Sequence, residues 1–333
     1  MSDFKVFLQL FSKLSFGRIV NLIRIYFSFW ISAILKKPFI SGIPISFAIE
    51  PTNSCNLCCK ECPTGTGELN RKKGLLDEIS FQKILSKIPM ETMLLNFNFQ
   101  GEPFLNEQTT KFIEEAVKRN FYISISTNAH FREEETAKKI VKSGLDRIIV
   151  SLDGTNDETY KLYRSGGDFE TVIKNIRLLV NAKKEQKSKT PQIILQFIVL
   201  KSNEHQIEEV KKLGKTLGVD KVELKSAQII HFENIEDSIP SNSKYSRYSK
   251  NRVGKFELKK KLKNRCFKMW SSAVICWDGT LVPCCFDKDA DFPIGYIIES
   301  DFNSLWKNEN YNKLRKQILE NRKSIDICCN CNQ

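Results

Sequence analysis

The chain has 333 residues, 41% of them aliphatic, aromatic or cysteine and 27% charged, and it carries a formal net charge of +13. At about 150 residues per domain this length suggests roughly two domains, and the composition excludes wholesale disorder, collagen and polytopic membrane classes. The eleven cysteines form an early cluster at 55, 58, 59 and 62 and a late group from 266 to 331, a bunching that favours metal in a reducing compartment over a disulfide scaffold.

Residues 1–44 read as an apolar, basic helical segment. The run from Ile19 to Leu35 is interrupted by Asn21 and Arg24 and closed by Lys36, Lys37 and Pro38. It falls short of the about 20 apolar residues of a membrane span. A signal peptide would place basic residues before such a run and a small-residue cleavage site after it, and neither feature is clean here. The run is expected to be a helix, lying in a membrane interface or packed on the main domain.

From residue 45 to 230, short apolar runs alternate with helical patterns. Strands are expected at Ile45–Glu50, Met93–Phe99, Phe121–Thr127, Arg147–Leu152, Ile193–Leu200 and Lys221–Lys225, with amphipathic stretches near 77–88, 107–119, 132–143, 170–184 and 204–217. Gly144 and Gly218 stand where helices would stop. This rhythm reads as repeated βα units around a parallel sheet, in which chemistry gathers beyond the carboxyl ends of the strands.

Residues 231–265 read as a basic linker. Lys244 to Lys268 holds eleven basic residues against one acidic, Glu257. Such a run suits anionic lipid or a phosphorylated substrate as well as plain solvation. Its aromatic interleaving (Tyr245, Tyr248, Phe256) is thin and no nucleic-acid motif accompanies it, so no nucleic-acid partner is expected. Residues 266–333 read as a compact domain with a hairpin at Trp277-Asp278-Gly279-Thr280 and a helix over Ser304–Glu320.

The chemistry-bearing residues begin after the first strand, where EPTNSCNLCCKECP offers Cys55, Cys59 and Cys62 at a CxxxCxxC spacing. Three thiolates on one loop can hold three irons of a cubane and leave the fourth open, whereas a closed zinc site wants four ligands. Replacing Cys59 by Cys58 would change the spacing to CxxCxxxC.

At these residues the sequence resembles the radical S-adenosylmethionine (SAM) superfamily, over about 45–230. The resemblance implies an α/β fold, a partial (β/α)6 barrel whose CxxxCxxC loop holds a [4Fe-4S] cluster that chelates S-adenosylmethionine. Three further segments match in order. FQGEPFLN resembles the family's GGEP motif, with Gln100 in place of the first glycine and Gly101, Glu102 and Pro103 matching; glycine allows close backbone approach and a carboxylate pairs an ammonium. In STNAH, Thr127 and Asn128 look like the family's polar pair facing the cofactor. In SLDG, Ser151 and Asp153 are placed to meet ribose hydroxyls, and Arg164 of YRSGG resembles the arginine that meets the cofactor carboxylate. Taken singly, strand-end Asn and Asp-Gly are common turn formers.

Cys266, Gly279 and Cys284 resemble the CX9–15GX4C half-motif of SPASM and twitch extensions, and Cys328 and Cys331 add a CxxC pair. The resemblance implies a small C-terminal SPASM/twitch-like domain in which these four cysteines ligate one auxiliary [4Fe-4S] cluster. Cys58, Cys276, Cys285 and Cys329 are then spare, although Cys285 competes with Cys284, and Cys329 with Cys328. His130, His205 and His231 show no zinc-type spacing.

The implied activity is reductive cleavage of S-adenosylmethionine to a 5′-deoxyadenosyl radical that takes hydrogen from a substrate, with the auxiliary cluster moving electrons. A reducing donor such as flavodoxin or ferredoxin is the expected partner, in the cytoplasm or peripheral to the inner face of the membrane. The substrate class is a sugar-like molecule, a glycan or a peptide. The reading from a different class is a zinc-stabilised basic binding protein without catalysis.

Overall fold

A computed structural model describes residues 2–131, 133–233 and 235–331. Met1 of the expected N-terminal segment, Arg132 in the expected helical stretch 132–143, Asn234 in the expected linker 231–265, and Asn332 and Gln333 of the expected C-terminal domain lie outside them. Six parallel strands pair in chain order: β1 (Ser46–Ile49), β2 (Leu94–Asn96), β3 (Tyr122–Thr127), β4 (Arg147–Ser151), β5 (Gln192–Val199) and β6 (Lys221–Ser226). The crossovers carry helices at Glu78–Lys87, Thr109–Lys118, Glu135–Lys142, Phe169–Glu185 and Ile207–Leu217. This is the α/β architecture of the partial (β/α)6 barrel. The central strands β3 and β5 are buried along most of their length, β5 with only Gln196 and Ile198 less than buried, whereas the edge strand β6 has no buried residue, as a parallel sheet covered by helices needs apolar side chains toward them.

Residues 231–265, expected as a linker, instead contain short helical turns at Ile235–Ser238 and Ser243–Tyr245 and a hairpin of β7 (Tyr248–Lys250) and β8 (Phe256–Leu258). It closes over a small apolar cluster containing Leu200, Ile229, Ile235 and Tyr248. The C-terminal segment then joins the main sheet. Strand β9 (Ser272–Ile275) pairs in parallel with β1, and β10 (Thr280–Val282) and β11 (Gly295–Tyr296) extend the edge, giving the order β11-β10-β9-β1-β2-β3-β4-β5-β6. The segment expected to form a domain from residue 266 thus adds three strands to one nine-stranded sheet. The expected Asp-Gly hairpin is present between β9 and β10, with Gly279 at φ +88°. The single helix expected over Ser304–Glu320 is two, Phe302–Trp306 and Glu309–Asn321. Asp301 and Asn308 each accept a backbone N–H of the turn that follows them and so start separate helices.

At the N-terminus, helices α1 (Ser2–Ser12) and α2 (Phe16–Leu35) lie on this body. Phe29 of α2 packs edge-on against Trp270 and Phe267.

One buried carboxylate joins the two halves of the sheet. Glu50, directly after β1 and fully buried, is gripped by both terminal nitrogens of Arg71 at 2.7 and 2.8 Å. It also accepts the backbone N–H groups of Gln100 and Trp277, each at 3.2 Å. Arg71 in turn donates to the carbonyl of Lys288. Removing one member of a buried pair strands the other charge, at a cost of about 3–5 kcal/mol, whereas removing both is milder. Glu50→Gln should thus lower unfolding stability by about 3 kcal/mol in a urea titration, and Glu50→Gln with Arg71→Met should recover part of the loss.

Candidate functional site

The cysteine loop emerges from the carboxyl end of β1. Cys59 is buried, Cys55 and Cys62 are half-buried, and Cys58 is exposed. The Leu57 N–H points at the Cys55 sulfur at 3.4 Å, and Cys62 stands just before the single helical turn Pro63–Thr66. Burial pushes the Cys55 thiol up to about 11, against the Leu57 N–H. It raises Cys59 as well, against the Arg164 guanidinium. Thiols held protonated in this way release protons when they ligate a cation.

The other expected residues converge on this loop. Asn128, following β3, directs its amide nitrogen to Cys55 Sγ at 3.9 Å and donates to Asn56 Oδ1 at 2.8 Å. Arg164 donates to Cys59 Sγ at 3.7 Å and to Asp153 Oδ2 at 2.6 Å. The Ser165 carbonyl accepts the Cys58 N–H at 2.8 Å. Glu102, after β2, lies buried between the loop and β3, accepting from the Thr127 hydroxyl and the Asn128 N–H, both at 2.7 Å, and from the Phe104 N–H at 3.2 Å. Burial pushes its carboxyl up to about 7 in spite of these donors and of Arg164.

Gly101 has φ +73°, and a Cβ there would lie 2.5 Å from the Ser54 carbonyl oxygen and 2.6 Å from that of Thr52. Backbone meets backbone at this point, so no side chain can yield. The Glu102 N–H donates to Ser54 O at 2.8 Å, which ties the segment to the cysteine loop. Gln100 accepts the Thr64 hydroxyl, and Pro103 opens a single 3-10 turn. Ser151 ends β4. Asp153 is fully buried, its second oxygen taking the Ile198 N–H at 2.6 Å.

The late cysteines divide cleanly. Cys266, Cys284, Cys328 and Cys331 line one small cavity together with Met269, Phe286, Leu314 and Arg322. Arg322 donates to Cys331 Sγ at 3.3 Å. Cys285 and Cys329 are exposed, and Cys329 donates to the Lys323 carbonyl. Cys276 is buried outside this cavity. Among the described residues, no three His, Cys, Asp or Glu side chains are grouped for a single metal ion. The thiolates of a cubane bind different irons and stand farther apart than the ligands of one ion. Three thiols on one loop with N–H donors aimed at two of them suit an iron–sulfur cluster, as do four thiols around one cavity.

Comparison with known proteins names this arrangement. A model of the radical SAM superfamily matches residues 49–214, and one of an iron–sulfur cluster-binding domain, SPASM, matches residues 266–332. The chain belongs to the radical SAM superfamily. Its radical SAM domain binds a [4Fe-4S] cluster and S-adenosylmethionine, and its SPASM domain binds auxiliary iron–sulfur clusters. Membership sets aside the non-catalytic zinc reading. The chain is similar to a tungsten-containing aldehyde ferredoxin oxidoreductase cofactor-modifying protein of Pyrococcus furiosus, 26% identical over 300 residues, 80% of this chain and 82% of that one. It is 27% identical to the PqqA peptide cyclase of Gluconobacter oxydans over 203 residues, 60% of this chain and 54% of the cyclase. This radical SAM chain thus spans about half the length of that relative. In fold it resembles BtrN, solved in complex with AdoMet and 2-DOIA, with a TM-score of 0.55, 19% identity, and coverage of 87% of this chain and 94% of that one.

Glu50, Asn56 and His130 were not expected at the site. His130 is held between the Asn128 carbonyl at 3.1 Å and the Asp168 N–H at 2.9 Å. Asn56 carries a signal only in its place between Cys55 and Cys59.

Two outcomes follow for the radical SAM domain. Gly101→Ala should cost about 2 kcal/mol, from the left-handed backbone and the carbonyl clash, read by urea unfolding. Glu102 in the folded chain holds its proton to about 7, whereas the unfolded chain releases it near the ordinary value of about 4.3. Its ionisation therefore removes stability as pH rises between those values. In cluster-free protein, Glu102→Gln should gain on the parent by up to about 3 kcal/mol across that window.

Proposed function

We propose that this enzyme takes a hydrogen atom from a small, polar, hydroxyl-rich substrate and oxidises it, using a cofactor held at Cys55, Cys59 and Cys62 and an electron acceptor held at Cys266, Cys284, Cys328 and Cys331. The carrying observation is that Asn128, just after β3, and Arg164, at the end of the helix Asp157–Tyr163, reach sulfurs of the same three-cysteine loop. When bound, S-adenosylmethionine with the first cluster supplies a 5′-deoxyadenosyl radical, and the auxiliary cluster supplies a one-electron acceptor.

The residues have distinct tasks in this reading. Glu102 and the backbone of Gln100, Gly101 and Pro103 receive the amino end of S-adenosylmethionine, and Thr127 and Asn128 fix Glu102 from behind. Arg164 would meet the cofactor carboxylate, and Ser151 would meet a ribose hydroxyl. Asp153, with both oxygens engaged, is assigned to hold Arg164 rather than to bind ribose. Within the barrel a cavity of about 560 Å³ places Ser46, Asn96, Asn98, Ser124 and Ser126 among apolar residues such as Ala48, Ile149 and Val274. Such amides and hydroxyls suit hydroxyl groups on a substrate. Two helices occupy the N-terminus, where a peptide-clasping module would be strand-rich. Peptide modification is the second reading, favoured by the similarity to the PqqA peptide cyclase.

The clusters call for a reducing compartment, and we place the protein in the cytoplasm with a flavodoxin or ferredoxin as donor. Anaerobic reconstitution should give about eight irons per chain, as two cubane clusters require. Replacing Cys55, Cys59 and Cys62 by Ala should abolish formation of 5′-deoxyadenosine. Cys284→Ala should leave about four irons with cleavage retained, and Cys285→Ala should leave the full complement. Cleavage that survives the triple replacement overturns the first assignment, and full iron in Cys284→Ala overturns the second. Deuterium moving from a labelled polyol or peptide into 5′-deoxyadenosine decides between the two substrate classes.

A further inference from the structure

Helix α2 is turned inside out relative to an ordinary surface helix. Its buried stripe is Arg18, Asn21, Ile25, Ser28, Phe29 and Ser32, four of the six polar. The opposite stripe is Phe16, Ile19, Ile23, Tyr26, Phe27 and Ile34, between 44% and 83% exposed. Both stripes follow the spacing of a single helix face. Next to them α1 exposes Phe7, Leu8 and Phe11. A monomeric protein rarely leaves so many large apolar side chains contiguous and uncovered.

The buried polar groups fix this orientation. Arg18 donates to the carbonyls of Lys13, Met90 and Asn120. Asn21 exchanges two bonds with the Ile43 backbone, at 2.9 and 3.0 Å. The Ser32 hydroxyl accepts the Phe39 N–H at 2.8 Å. A helix that crossed a bilayer would have to abandon these bonds, although its twenty residues are long and apolar enough for the crossing. The face must be covered while the helix stays on the body.

Charge identifies what covers it. Residues 1–44 hold six basic side chains and one acidic, Asp3. Arg24, Lys36 and Lys37 are exposed beside the apolar stripe. An apolar groove lined by Leu22, Ile23, Tyr26, Phe27, Trp30 and Phe267 runs along α2. Arg265 stacks over its Trp30 ring at 4.8 Å, which joins the groove to the exposed Lys259, Lys260, Lys261 and Lys263. An apolar strip rimmed by lysine and arginine fits the boundary between acyl chains and anionic headgroups.

We propose that the outer face of α1 and α2 lies flat in an anionic lipid surface and docks the enzyme there without spanning it. Phe267 lines this groove and also the barrel cavity, so docking sets the cavity beside the membrane, within reach of a substrate carried on lipid. The docking stands independently of the substrate reading, and its test needs no substrate.

The reconstituted full chain is sedimented with vesicles of phosphatidylcholine alone and of phosphatidylcholine containing one third phosphatidylglycerol. Binding to the anionic vesicles should be about tenfold tighter than to the neutral ones, and should weaken with salt. Phe16→Ser with Ile23→Ser and Phe27→Ser should weaken binding to the anionic vesicles by about tenfold or more, with iron content and circular dichroism retained. Arg24→Gln with Lys36→Gln and Lys37→Gln should remove the anionic preference and keep the weak neutral binding. Parent protein that remains in the supernatant with both vesicles overturns the proposal. So does a dimer in analytical ultracentrifugation that the serine variant dissociates and the vesicles do not, since a second copy then covers the face.

Discussion

The ion pair between Glu50 and Arg71 is the constraint on which the rest of the molecule depends. A carboxylate in a fully buried position is tolerable only if its lone pairs are engaged. Glu50 meets that condition by drawing three separate segments to one point. These are the loop that follows the cysteines, the start of the QGEP segment, and the turn that leaves β9. The same stretch of chain makes further ties. Trp277 donates to the Lys72 carbonyl and packs on Gly74, where a Cβ would sit 2.4 Å from the indole ring, and the Asn70 N–H donates to Asp289. The two cysteine-bearing regions therefore share a sheet and a common buried anchor.

Around the loop of Cys55, Cys59 and Cys62 a set of donors converges. Asn128, Arg164 and the Leu57 N–H all point at cysteine sulfur. Such donors stabilise thiolate over thiol, while burial works in the opposite direction and dominates at Cys55 and Cys59. The loop on its own thus favours the protonated state, and any metal it binds must supply the remaining stabilisation. Support from behind the loop is equally specific: Asp153 holds Arg164, and Thr127 holds Glu102.

Much of the barrel could be read from the chain. Runs such as Ile193–Leu195 and Phe197–Val199 are apolar and mark a strand, and the helices between the strands carry clear periodicity with Gly144 and Gly218 at their ends. The hairpin β7–β8 carries no periodic signal because its strands, Tyr-Ser-Lys and Phe-Glu-Leu, have only three residues each and mix polar with apolar side chains. The single helix expected from 304 broke in two at Asn308 because a residue that caps a new helix competes with continuation of the old one.

The sequence alone determined the chemistry of this protein, since the number and spacing of thiols, and the order of the polar residues at strand ends, are properties of the chain. It also bounded the choice between Cys284 and Cys285 and between Cys328 and Cys329 without making it. Tertiary structure separated them, because neighbouring residues in a chain point to different sides and only one of each pair lines the shared cavity. It also decided which face of α2 turns outward. Apolar periodicity would have buried Phe16, Ile23 and Phe27, but the hydrogen-bonding demands of Arg18, Asn21 and Ser32 are met only on the body of the protein, so the polar stripe faces inward and the apolar one is left outside.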